Sequence, residues 1–225
     1  MISNARDAFI GDLFDAEVWT ASSAVTEVES DLHPDERALV ERAVDKRRRE
    51  FAAGRRCARA LLAQLGHPGP LLRNDDRTPR WPDGLVGSIS HSAELCVVAI
   101  ARRATHASLG VDVEPDAALE PPIWKKICTP GELANLIEAA PAGERGRVAR
   151  LVFSAKEATY KSVYPLMGKV FGFQDVELSI DFAQRRFTPR LDAAIAAQLP
   201  AGLLPTGTFA RRAGFVFAAA TVPPA

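Results

Sequence analysis

Apolar residues recur along this chain with two different periods. Between Pro34 and Leu65, the residues Leu39, Val40, Ala43, Val44, Phe51, Ala58, Leu61 and Leu62 return at helical spacing. Pro34 opens that segment, while Gly66, His67 and Pro68 close it, as a C-terminal glycine followed by proline should. Gly54 interrupts the pattern and predicts a kink or a break. Beyond a loop at 69–84, short apolar runs replace the helical period. They predict strands at 85–90 and 94–101, joined near His91–Ala93 as a hairpin, and a third at 108–114. Turns and short helices fill 116–146, one of them near Pro130–Ala139. A second long helix is expected at 144–163, with Val148, Leu151, Val152, Ala155 and Val163 facing the core. Strands at 174–181, 185–191, 207–212 and 214–222 follow. In the first 32 residues only Ala16–Val28 suggests a strand.

Two segments in this layout concentrate charge. Gly110-Val111-Asp112-Val113-Glu114-Pro115 ends a strand in two acids, and alternation sends Asp112 and Glu114 to one face and Leu109, Val111 and Val113 to the other. Phe153-Ser154-Ala155-Lys156-Glu157-Ala158-Thr159-Tyr160-Lys161 lies on the second long helix. Its Glu157 and Lys161 are one turn apart, the spacing of a helical ion pair worth about 0.2–0.5 kcal/mol. If strand end and helix pack together, three carboxylates meet beside a cation. Oxygen ligands of that kind suit Mg²⁺, with Mn²⁺ as the alternative.

Together the two segments closely resemble the 4′-phosphopantetheinyl transferases, in particular the Sfp-like branch that includes the enterobactin-synthetase type. Members carry Gly-[hydrophobic]-Asp-x-Glu and then [Trp/Phe]-x-x-Lys-Glu-[Ala/Ser]-x-x-Lys at about this distance; here Phe153 stands where many have Trp. The likeness extends to Lys46-Arg47-Arg48-Arg49-Glu50-Phe51 through Arg59, to Trp81-Pro82-Asp83-Gly84, and to Gly87-Ser88-Ile89-Ser90-His91. It runs over roughly residues 45 to 175.

The resemblance implies an α+β fold: a pseudo-twofold pair of similar lobes, 1–107 and 108–225, each with antiparallel strands packed against a long helix. It implies transfer of the 4′-phosphopantetheine arm of coenzyme A to a serine of an apo acyl or peptidyl carrier protein, releasing adenosine 3′,5′-bisphosphate. Asp112, Glu114 and Glu157 are then the metal ligands, and Glu157, directly or through a metal-bound water, the candidate to take the serine proton. Lys161 and Lys156 are expected near the phosphates. Arg47 and Arg55, on one helix face with Phe51, take the basic positions that hold the nucleotide. Arg73 falls at the loop position near the adenine, and Ser90 and His91 end a strand beside the 3′-phosphate. Tyr164, Leu166, Met167, Lys169, Phe171 and Trp124-Lys125-Lys126 are candidates for the patch that meets the carrier. Competing readings are a Mg²⁺-dependent hydrolase that cleaves coenzyme A with water, and a non-catalytic binder of coenzyme A or carrier proteins.

Composition narrows the setting. The 225 residues hold 28 Lys+Arg against 28 Asp+Glu, a balance that argues against a dedicated nucleic-acid binder. Cys57, Cys96 and Cys128 are odd in number and form no C-x-x-C, which fits a reducing cytoplasm better than a disulfide framework or zinc site. Asp7, Asp12 and Asp15 interrupt the N-terminal apolar residues, so no signal peptide is expected. The apolar runs Leu95–Ala101 and Phe215–Val222 are strand-sized, too short to span a membrane. With both lobes in one chain, a monomer is expected.

Overall fold

The structure is a computed structural model that describes residues 7–26, 32–200 and 203–224. Strand β1 (Val18–Ala24) falls inside the stretch expected from sequence, of which 27 and 28 lie outside the described residues. The long helical pattern that follows divides in two. Helix α1 (Pro34–Arg37) is held by a capping box between His33 and Glu36, and the chain leaves helical geometry before α2 (Asp45–Gln64) begins. Val44, part of the periodic set, is 73% exposed, so the helical period there overstates the helix. Glu36 explains the break. It is fully buried, and besides capping α1 it takes the Leu71 N–H and pairs with Arg59 of α2, which pins α1 as a separate turn.

Gly54 neither kinks nor breaks α2. A Cβ there would lie 3.0 Å from Ile89 Cγ2, so the glycine serves close approach of the helix to β2 (Leu85–His91). β2 and β3 (Leu95–Arg102) pair as the expected hairpin, and β3 also pairs with β1, giving a three-stranded antiparallel sheet in the order β1-β3-β2. As the central strand, β3 is buried on both faces, which is why it reads as a continuous apolar run.

β4 (Ser108–Pro115) starts the second half, followed by α3 (Pro121–Ile127) and α4 (Pro130–Glu132). α4 runs on as a π-helical stretch, Leu133–Glu138, where a single helix was expected. Helix α5 (Arg145–Met167) extends beyond the predicted 163 and ends at Gly168, whose φ of 67° supplies the left-handed C-terminal turn. Val148, Leu151, Val152, Ala155 and Val163 are all buried, as their spacing predicts. β5 (Val176–Asp181), β6 (Arg186–Leu191), the short α6 (Ala193–Ala196), β7 (Thr206–Arg212) and β8 (Phe215–Val222) complete a five-stranded antiparallel sheet in the order β4-β8-β7-β6-β5.

Each half therefore runs strand, long helix, antiparallel strands: an α+β pair of similar lobes. They meet where β2 passes β4. No backbone ladder joins these two strands; instead the Val111 and Val113 N–H groups donate to Ser88 Oγ (3.1 Å) and Ser90 Oγ (3.4 Å). Leu109, Val111 and Val113 pack on the first sheet with Val97, Ala99 and Ala101, leaving the opposite face of β4 to α5. All three cysteines are buried and free, and no described helix is long and apolar enough to cross a membrane.

Candidate active site

Gly110 decides how α5 sits on β4. A Cβ at this position would lie 2.0 Å from the Ala158 carbonyl oxygen and 2.8 Å from the Ser162 nitrogen, both helix backbone. Only glycine lets the helix lie directly on the strand, and Asp112 and Glu114, two and four residues along the same face, are thereby brought beside Glu157 and Lys161.

Lys161 is the hub. Its ammonium donates to Asp112 Oδ1 (2.7 Å), to Ser90 Oγ (3.0 Å) and to the Val111 carbonyl (3.2 Å). Ser90 in turn donates to Asp112 Oδ1 at 2.9 Å. Asp112 is 3% exposed, and its second oxygen, Oδ2, is buried with no hydrogen-bond partner. Glu114 is half-buried and accepts from Arg150 of α5 at 2.7 Å. Burial raises the Glu114 carboxyl above its ordinary range and the Asp112 charge adds to this, against the pull of Arg150 and Lys161. Glu157 is also raised, chiefly by burial; Lys161 opposes the shift and Asp112 reinforces it.

The three acids are neighbours, but their convergence is looser than side-chain alternation predicts. Among the described residues, no three His, Cys, Asp or Glu side chains stand close enough together to hold a metal ion. Arg150, which the sequence did not single out, takes Glu114, and Lys161 takes Asp112. The donor set nevertheless fits a hard divalent cation. It is all oxygen, it includes the unsatisfied Asp112 Oδ2, and two of its carboxyls are pushed toward the neutral form by burial and a like charge, conditions that a cation relieves.

Lys156 corrects an expectation. Rather than facing phosphates, it is 1% exposed; its ammonium pairs with the fully buried Glu132 at 2.7 Å and donates to the Ile127 (2.8 Å) and Phe173 (2.7 Å) carbonyls. Burial lowers its pKa and Glu132 raises it again. Glu132 is itself satisfied by the Thr129 and Leu178 N–H groups. In this structure the first lysine of the helix motif ties α5 to its neighbours.

Two cavities flank the cluster. One, of about 530 Å³, is lined by Arg47, Glu50, Arg55, Arg73, Arg77 and His91. Arg47 lies 2.8 Å from His91 Nε2. Arg55 is 5% exposed, stacks on Phe51 at 4.2 Å, and has a buried Nε without a partner. Burial brings its pKa down to about 10, with Arg47 and Arg73 contributing. Arg73 belongs to a small flap, bridged to Pro79, whose Arg77 has a left-handed φ of 71°. Neither acid of this flap, Asp75 or Asp76, lines the basic cavity, and Asp76 accepts from the Tyr164 hydroxyl (3.0 Å), across the lobes.

The other cavity, of about 490 Å³, is lined by Trp81, Ser88, Tyr160, Lys161, Tyr164 and Leu166. Trp81 sits over Gly87, where a Cβ would approach its ring to 2.6 Å. Pro79 and Ile89 line both cavities, so the two adjoin. Of the candidate docking residues, Tyr164 and Leu166 thus border a cavity, and Lys169 is exposed. Phe171 is core, packed on Tyr160 at 4.9 Å, and Trp124 is half-buried with its indole N–H on the Leu119 carbonyl.

Comparison with known proteins agrees with this layout. The model of the 4′-phosphopantetheinyl transferase N-terminal domain matches residues 35–101, and that of the 4′-phosphopantetheinyl transferase superfamily matches 108–211. The 4′-phosphopantetheinyl transferase Svp of Streptomyces mobaraensis is 44% identical over 161 residues, covering 71% of this chain and 65% of that protein. The 4′-phosphopantetheinyl transferase PptT of Mycobacterium tuberculosis is 37% identical over 185 residues, 82% of this chain and 78% of that one. Enterobactin synthase component D of Salmonella typhi is 31% identical over 128 residues, 52% and 48% of the two chains. These likenesses span both lobes and the seam that carries the acids and Lys161, and the chain belongs to the 4′-phosphopantetheinyl transferase superfamily, enzymes that move the phosphopantetheine arm of coenzyme A onto carrier proteins.

Proposed function

We propose that this chain transfers 4′-phosphopantetheine from coenzyme A to a serine hydroxyl of an apo acyl or peptidyl carrier protein, using the residues of the seam, and releases adenosine 3′,5′-bisphosphate. The observation that carries this reading is the order of environments along the seam. A basic cavity, an acid–lysine cluster and a cavity of mixed polarity adjoin one another. Coenzyme A presents the same order: a 3′-phosphorylated nucleotide, a pyrophosphate and an amide-bearing arm.

Arg47, Arg55, Arg73 and His91 take the nucleotide and its 3′-phosphate. Guanidinium forks match phosphate oxygens, and Arg55 is already fixed by Phe51, with an Nε that such an oxygen satisfies. Ser90 and Lys161 face the pyrophosphate, and the arm lies along Trp81 and Tyr164. Asp112, Glu114 and Glu157 are the residues that would hold Mg²⁺, which when bound would supply Lewis-acid neutralisation of the pyrophosphate. The chain's own contribution is placement and charge. Lys161, anchored to β4, keeps a cation beside the oxygens that gain charge as the arm departs. Glu157 accepts the serine proton. Leu166, Met167, Lys169 and the Lys125-Lys126 pair offer an apolar and basic approach for an acidic carrier helix.

The test is incubation with coenzyme A, Mg²⁺ and a panel of apo carrier proteins, read by intact mass. At least one carrier should gain the phosphopantetheine arm, and Asp112→Ala should abolish the gain. No gain on any carrier, with coenzyme A cleaved by water instead, would favour the hydrolase.

A further inference from the structure

One residue is out of place in the basic cavity. Glu50 lines it among Arg47, Arg55, Arg73 and Arg77, with its carboxylate 90% shielded from solvent. A carboxylate there repels any phosphate, so its presence calls for a compensating role. Its nearest ring partner is His91, with Nδ1 3.4 Å from Glu50 Oε2, and Lys46 lies farther off at 3.9 Å. The opposite ring nitrogen, Nε2, lies 2.8 Å from an Arg47 Nη1. A guanidinium can only donate, so Nε2 accepts and the ring proton sits on Nδ1, on the side of the ring nearer Glu50. Arg47 thus sets the tautomer of His91, and Glu50 lies at ion-pair distance from the nitrogen that carries the proton.

We infer that Glu50 is a positioning residue for recognition of the 3′-phosphate: it holds His91 with Nε2 toward the cavity and supplies the negative charge that lets the ring take up a proton there when the phosphate enters. This rests on the placement of coenzyme A proposed above. When the phosphate replaces the ring as the partner of Arg47, a neutral Nε2 would oppose an anion with a lone pair. A proton taken from solvent turns it into a donor, and the imidazolium is then held between two negative groups, Glu50 and the phosphate. Before binding, the ring is kept neutral chiefly by burial. Arg47 and Lys161 act in the same direction, while Glu50 and Asp112 oppose them. Arg55, Arg73 and Arg77 line the same cavity. The phosphate offsets these cations and tips the balance toward protonation. Affinity for coenzyme A therefore falls as pH rises through the pKa of the bound ring, whereas affinity for dephospho-coenzyme A does not follow that limb.

Titration calorimetry of the wild type, Glu50→Gln, His91→Ala and the double variant, each with coenzyme A and with dephospho-coenzyme A, tests this. Wild type should prefer coenzyme A; equal affinity for both ligands would overturn the placement of the 3′-phosphate and, with it, the role of Glu50. In Glu50→Gln the preference should fall about tenfold, and the proton taken up on binding, measured in buffers of different ionisation enthalpy, should disappear. In the His91→Ala background the same replacement should strengthen binding, because an acid with no ring to hold only repels. Glu50→Gln that weakens both ligands equally, or that keeps the preference and the proton uptake of the wild type, would overturn the inference.

Discussion

Lys161 reaches across from helix α5 to bind Asp112 of strand β4 at 2.7 Å, so its ion-pair partner is on the strand and not Glu157 one turn before it. Removing it has two consequences. Lys161→Met leaves Asp112, almost wholly buried, without its cation, and should cost about 3 kcal/mol of stability, since breaking a buried pair costs more than the pair contributes. It should also lower turnover by on the order of a hundredfold or more through loss of a preorganised charge. Lys161→Arg should restore stability more than rate, because the charge returns at a shifted place. Single-turnover transfer at saturating coenzyme A and a denaturant titration of each variant separate the two effects.

Gly110→Ala should push α5 off β4, since its methyl would meet helix backbone on both sides. Overpacking of this kind costs about 1–3 kcal/mol, which for a chain of this size lowers the melting temperature by roughly 3–10 °C. The Lys161–Asp112 bond should lengthen with it, so residual activity should fall below what the melt alone accounts for.

For Lys156 the expected phenotype is one of folding. Lys156→Met strands the charge of Glu132 in the core and should cost about 3–5 kcal/mol. Adding Glu132→Gln should recover much of that loss. A raised coenzyme A requirement in Lys156→Met, with the stability of the wild type, would instead return this lysine to the phosphates.

Arg47→Ala and Arg55→Ala should each remove charge-assisted bonds to the nucleotide, worth about 1.5–3 kcal/mol, or roughly ten- to a hundredfold in coenzyme A affinity. The loss should be smaller with dephospho-coenzyme A, and turnover at saturation should change less than affinity.

The rate should also carry an acid limb that belongs to Glu157. Its proton-accepting form is the carboxylate, and burial raises its pKa while a bound cation lowers it, so activity should be lost as pH falls, and the limb should move to lower pH as Mg²⁺ is raised toward saturation. Glu157→Gln should abolish the rate at every pH. A limb that does not move with Mg²⁺ would mean that Glu157 takes the proton without holding the ion.

Much of this architecture was legible because the two periods are local properties of the chain. The hairpin of β2 and β3, the strand ending in Asp112 and Glu114, and the helix bearing Glu157 and Lys161 each declare themselves in a few residues. What stayed hidden depends on partners distant in sequence. Nothing near Lys156 announces that Glu132 will bury its ammonium, and Arg150 reads as a surface residue until β4 presents Glu114 to it. The break before Asp45 was masked because Val40 is buried on a turn at what is also a helical interval. Glu36 offered a signal: an acid three residues after a capping position marks a helix start, here of a helix one turn long.

Ser90 belongs to two structures at once. Its hydroxyl receives the Val113 N–H that fastens one lobe to the other, and the same oxygen receives Lys161 and donates to Asp112. Assembly and chemistry thus share a single atom. A chain severed between β3 and β4 would yield two halves, one with the cationic cavity and one with the acids and Lys161, and neither would carry the nucleotide's cations and the acid cluster together. Catalysis in this protein is therefore a direct report on the union of its halves, and any change that loosens the joint should appear first as lost turnover, before either half unfolds.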